Sequence, residues 1–487
     1  MLIKEVDAMR KKRVGWNLSG WFGLMCLCVV VLGYIHPSAG INASIASQLN
    51  TYEQRTRWKN QAWSPSYLEG IEHLFVWNGS VTDYASDVTL DSGDVYIAGS
   101  TYSYGMGGED LLLIKCNQTG HQMWNRTWGG TQNDSGMAVA SNTQGTIYTL
   151  GSTESFGEGS EDLVVIKWNA AGNQVWNRTW GTTGVEKGMD IVVDRTENIY
   201  TLGRKDASEN ALKLVLIKWN NQGEQLWNRT GLSIEDVLWS SAWSMEFKPE
   251  EGIYAVGTLS LTRERSDLCL LKWDIEGHLM WNRTWGGADH DYGKDLAIDQ
   301  AGHIYTTGST GSFGDDHGNR GMVIKWDSEG RQVWNSTWNG TISNWGVSVD
   351  PQGTIYTTGY TFKDNTPNSV LGVGKWNTSG HPVGIQIWGN QDPQLINWGS
   401  KKGIDLVLDS NGTIYCLGYV SMPSTGSLGH NFIVLVIFSP TNFQTVVLPT
   451  STITTAPGFE TILAILTIGG IGVRWKKRKR SQILRKD

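Results

Sequence analysis

Two short stretches of this chain hold side chains that could do asymmetric chemistry: Asp289-His290-Asp291 and Asp315-Asp316-His317. Acids and imidazoles in such a mixture suit proton transfer or a divalent cation. Solvated polar loops have the same composition, so that reading stays open beside the first. Elsewhere the sequence holds no G-x-S-x-G, no H-E-x-x-H and no Walker loop. Turns of the form D-x-x-G, such as Asp350 to Gly353, lack the density of carboxylates that an oxygen cage requires, and turn capping accounts for them. No catalytic set, resident metal or cofactor is expected.

The aromatic residues point to packing. Tryptophan occurs 25 times, mostly at recurrent positions, which suits contacts between repeated units. Lysines of an I-K-W string recur with apolar neighbours at period two, so they are expected to snorkel or pair locally. Cys116, Cys269 and Cys416 are odd in number and far apart, and each lies in an apolar strand. They read as core residues, with no disulfide framework and no metal spacing. The formal charge of -7 and the lack of a basic stripe argue against a nucleic-acid surface.

What positions these residues is a repeat. An I-Y-x-x-G strand recurs at Tyr96, Tyr148, Tyr200, Tyr254, Tyr305, Tyr356 and Tyr415. An apolar strand ending in I-K-W follows, and then W-N-R-T-W or a variant, with first tryptophans at Trp77, Trp124, Trp176, Trp227, Trp281 and Trp334. The period fits one four-stranded blade. In one unit, strands are expected over Met189 to Asp194, Ile199 to Gly203, Leu214 to Trp219 and Gln225 to Asn228. The third is an unbroken apolar run, as a strand covered on both faces requires. Blade six has Gly384 where a tryptophan is expected.

Seven I-Y-x-x-G strands make a seven-bladed, all-β propeller. The seventh unit ends at Phe438 without a W-N strand, while His73 to Asn78 (HLFVWN) stands alone before the first unit. An N-terminal strand completing the last blade would close the ring and remove a sheet edge.

Strings such as TWGG, SFGEGSEDLVVIKW and GNQVWNRTW resemble the SBBP-type β-propeller repeats of bacterial and archaeal surface proteins, over roughly residues 73 to 438. The resemblance implies the fold and is nearly silent on activity, since one propeller architecture hosts many functions.

The ends read as addresses. Arg10 to Arg13, an apolar run from Trp21 to Ile35 and small residues to Gly40 have the order of a secretory signal, with an uncleaved signal anchor as the alternative. Residues 41–72 form an N-terminal extension, 73–439 the propeller and 440–456 a threonine-rich stalk. Residues 457–487 join Pro457-Gly458-Phe459 to a short apolar run and the basic tail RWKKRKR. That tail resembles the archaeal PGF-CTERM sorting signal, which implies processing and transfer to a lipid; a plain membrane anchor is the alternative. Five N-x-S/T sequons, at Asn125, Asn177, Asn228, Asn282 and Asn335, share one place in the W-N-x-T strand and could form a glycosylated belt. Duplicated edge-strand residues are the bland reading. The sequence thus favours a membrane-anchored binding or structural module outside the cell, with a protein or glycan partner. Its rival is an extracellular glycan hydrolase or lyase that works through a propeller face.

Overall fold

The computed structural model describes residues 71–441, apart from 143, 207–211, 231–238, 263–264, 314–319, 338–342, 363–368, 390–398 and 423–429, together with 443 and 453–455. The signal, the extension up to residue 70, most of the stalk and the sorting tail lie outside the described residues. Among those described there is no helix, and so none long and apolar enough to cross a membrane.

Seven antiparallel sheets carry the chain, and six of them take four strands in sequence order. Their first strands are Asp83–Asp91, Asp134–Ser141, Glu186–Val193, Trp239–Lys248, Asp291–Ile298, Ser343–Val349 and Lys401–Leu408. Each contacts the first strands on either side of it, and the cycle closes from the seventh back to the first. These are the inner strands of a seven-bladed β-propeller. In the seventh blade the outer strand is Ile71–Trp77, paired antiparallel with His430–Phe438. The N-terminal strand closes the ring, as the orphan HLFVWN string implied.

Register corrects one detail of that string. Trp77 pairs with Ile433, as Trp128 pairs with Leu111 and Trp388 with Leu371. Trp77 therefore stands for the second tryptophan of W-N-R-T-W, and His73, opposite Ile437, takes the place of the first. The W-N pair misled because the two tryptophans of the repeat lie four residues apart on the same face of a strand.

Packing explains the repeat. In Asp162–Trp168 every residue is buried except Lys167. That lysine folds over Tyr148 at 5.3 Å, and the same contact recurs at Lys218 over Tyr200 and Lys272 over Tyr254. Trp168 donates from its indole to Thr149 Oγ1 at 3.0 Å. On the outer strand, Arg126 lies over Trp124 and donates to the Gly172 and Ala171 carbonyls of the next blade. Gly172 has φ +75, and a Cβ there would meet Trp124 at 3.1 Å. W-N-R is thus a clamp on the following blade's turn. All three described cysteines are buried free thiols, pushed up to about 12 by burial.

Candidate functional site

Of the blade-five loops, the structure describes Asp289, His290 and Asp291. Asp291 is fully buried and accepts from the Gly287 amide (2.8 Å), Ser312 Oγ (2.6 Å) and Thr310 Oγ1. Asp134 accepts from Gly130, Ser155 and Thr153 in the same way, so this is a repeated loop cap. His290 stacks on Tyr292 and lies 3.3 Å from Ser266 Oγ through Nδ1, and Asp289 accepts the His290 amide. Asp315, Asp316 and His317 lie outside the described residues. No group of three His, Cys, Asp or Glu side chains arranged to hold a metal occurs among the described residues.

A different set converges on the propeller axis. One inner-strand position carries Asp87, Asp190, Asp295 and Asp405 in blades one, three, five and seven. Blades two, four and six carry Ala138, Ser244 and Gly346 there. Each of these aspartates follows a β-bulge, which turns its side chain along the ring toward the next blade. Asp87 Oδ1 accepts its neighbour's amide at Val88, and Oδ2 accepts the Val139 amide of blade two at 2.7 Å. Asp295 does the same with Leu296 and with Val347 of blade six. The carboxyls are clasps between inner strands.

Alternation cannot close on seven. Asp405 reaches from blade seven to the Val88 amide of blade one at 3.3 Å, an amide that Asp87 Oδ1 already accepts at 2.7 Å. The two carboxyls hydrogen-bond one another, which requires a shared proton. These residues are half-buried on the inner strands. Burial pushes Asp87 and Asp295 up to about 7, with the Asp190 and Asp405 charges adding to it respectively. Asp190 and Asp405 rise well above the carboxylate range for the same reason. Glu246, two residues beyond the clasp position of blade four, is pushed up to about 8 by burial and by Asp295. The sequence reading missed this set. Its signal was an aspartate followed by an aliphatic residue in alternate repeats.

Exposed aromatic side chains mark the face that carries the loops between second and third strands. Tyr104, Phe156 and Phe313 are exposed and rest on Trp77, Trp128 and Trp285 at 5.5, 5.1 and 4.7 Å between ring centres. Tyr102 and Met106 are exposed beside Tyr104.

The sequon asparagines lie on outer strands: Asn282 is exposed, Asn125, Asn177 and Asn228 are half-buried, and Asn335 is 7% exposed. A short strand, Ile453–Thr455, pairs with the outer strand of blade five and sets Thr454 opposite Asn335.

No family model and no curated protein matches this chain. Solved structures do. A subtype N11 neuraminidase-like protein of an H18N11 isolate from a flat-faced bat is 9% identical, with 78% of this chain and 97% of that one covered at a TM-score of 0.42. The β-propeller domain of the Trilobed protease from Pyrococcus furiosus, described as having an open velcro topology, is 10% identical, with 73% and 94% covered at 0.43. Puromycin hydrolase is 13% identical, with 71% of this chain and 52% of that one covered at 0.45.

Proposed function

We propose that this propeller is a cell-surface binding module that takes a protein or glycan partner on its aromatic loop face. The exposed rings of Tyr104, Phe156 and Phe313 carry the reading. Each is seated on a tryptophan of the preceding outer strand, so it is offered to solvent at little cost in side-chain entropy. Rigid aromatic platforms with a polar rim suit sugar rings and protein hot spots. The repeat strings similar to SBBP-type propellers, the leader-like N-terminus and the tail similar to PGF-CTERM support display outside the cell, anchored through the C-terminus or a lipid. A glycan array and a pull-down with the wild-type chain and a Tyr104→Ser, Phe156→Ser, Phe313→Ser variant test it. Binding should be lost in a variant that melts normally; equal binding by both proteins would overturn the reading.

A second reading rests on the placement of Glu246, a half-buried carboxyl two residues beyond the clasp position of blade four, which burial and the nearby Asp295 charge push up to about 8. Such a group can serve as a general acid in glycan hydrolysis. If this carboxyl is catalytic, Glu246→Gln abolishes turnover of a cleavable glycan while leaving loop-face binding intact.

A further inference from the structure

Blade one leaves its second strand through TYSYGMGGED, where blade two reads TESFGEGSED. The two loops align residue for residue, so Tyr102 stands for Glu154, Tyr104 for Phe156 and Glu109 for Glu161. In blade two, Glu161 pairs with Lys187 of the next blade at 2.7 Å. The place of Lys187, just before the glycine of its inner strand, is held in blade two by Ser135. Glu109, with no lysine at that place, accepts from the Tyr102 hydroxyl at 2.8 Å.

Exposed rings surround this acid. Tyr84 and Tyr102 meet edge to face at 6.4 Å, Tyr104 rests on Trp77 and Phe156 on Trp128. A polar chain then crosses to blade two: Asn133 Oδ1 accepts the Glu109 amide at 3.2 Å, and Asn133 Nδ2 donates to Glu154 at 3.1 Å. Burial, then the bond to Glu109 and its charge, with Tyr84 and Glu154 adding to them, push Tyr102 up to about 12. Both carboxylates are thus felt at one tyrosine. No lysine, arginine or histidine occurs from Gly79 to Ile114 or from Gly129 to Ile166. Among the described residues no basic side chain pairs with Glu109, Glu154 or Glu158. Further round the same face bases do meet the acids, as Lys205 meets Glu186 and Arg265 meets Asp267.

The face of an aromatic ring is negative, and a carboxylate beside it deepens the same field. A neutral sugar would use the rings and leave the acids without a role; a cation uses both. We propose that the loop face of blades one and two takes an arginine- or lysine-bearing segment of a partner protein, its cation on the rings of Tyr84 and Tyr102 and against the carboxylates of Glu109 and Glu154. This rests on the binding-module reading above and selects a protein partner over a glycan. Arginine suits the place better than lysine, because its planar head stacks on a ring while its edge donates to a carboxylate.

Fluorescence anisotropy of a short labelled oligo-arginine peptide, titrated with the full-length chain, tests this. Glu109→Gln with Glu154→Gln should weaken binding about fivefold or more. Tyr84→Leu should weaken it about two- to fivefold, while Tyr84→Phe, which keeps the ring, should bind like wild type. Glu224→Gln with Glu276→Gln removes the same charge from exposed turns at the other end of the blades and should change nothing. Melting confirms that each variant folds, and the Tyr84 pair reads the site even if the double variant does not. Equal weakening by both double variants would overturn the proposal, as attraction to net charge alone. Failure of the wild type to bind the peptide would overturn it too. If a glycan is then bound alike by wild type and by the Glu109→Gln, Glu154→Gln variant, the binding-module reading survives without it; if no glycan or protein is bound at all, both fall.

Discussion

The ring of Phe443 lies 5.8 Å from that of Tyr356, in the place that a repeat tryptophan holds beside the matching tyrosine of five other blades. Blade six lacks this tryptophan because Gly384 stands opposite Lys375. Phe443 enters from the segment that follows the last blade, and Lys375 lies over it at 5.3 Å and donates to the Pro440 carbonyl. A residue outside the repeats thus completes the packing of one.

Phe443→Ala should therefore destabilise the propeller by about 1–2 kcal/mol, from a lost aromatic pair and cation–π contact. Urea unfolding checks it. A midpoint equal to wild type would show that the contact contributes nothing.

Deleting Ile71 to Ser80 should abolish cooperative unfolding or cause aggregation. It would bare the third strand of blade seven, whose residues from Ile433 to Phe438 are almost fully buried. Scanning calorimetry and size-exclusion chromatography decide, and a mutant that melts like wild type refutes closure by this strand.

The axial acids make stability depend on pH with a definite sign. Their folded carboxyls lie above the unfolded value, so the native state binds more protons than the unfolded chain across the intervening range. Their contribution is fully present below about pH 4 and falls as pH rises through 7 to 8. Asp405→Asn removes the carboxyl conflict with Asp87 and leaves an amide donor in its place. Denaturant unfolding should find it more stable than wild type by about 1–2 kcal/mol at pH 8.5, with the gain shrinking at pH 5. An equal difference at both pH values would show that no shared proton is involved.

Glycan occupancy should follow exposure and not sequon alone. Asn282 is open on its outer strand, whereas Asn335 lies 7% exposed opposite the strand Ile453–Thr455. Glycopeptide mass spectrometry of the native protein should find sugar at Asn282 and none at Asn335. Full occupancy at Asn335 would mean that the short strand does not stay in place.

The sequence by itself determined the blade, the count and the closure. Strand alternation and turn chemistry act within a few residues, and seven copies of I-Y-x-x-G leave one number of blades. The missing strand after Phe438 and the spare one before blade one had a single economical pairing. It did not determine which of two tryptophans Trp77 matches, because both point to the same side and only the pairing with Ile433 separates them. Nor did it show that Asp87 meets Asp405. Those residues are more than 300 positions apart, and they become neighbours only because an odd ring brings an alternating pattern back on itself. The charge at each junction has the same origin. Asp110 and Asp134 belong to different repeats, and both are buried at the junction of blades one and two only because the ring sets those blades side by side. Local pattern sets each blade; the closed ring sets what its edges touch.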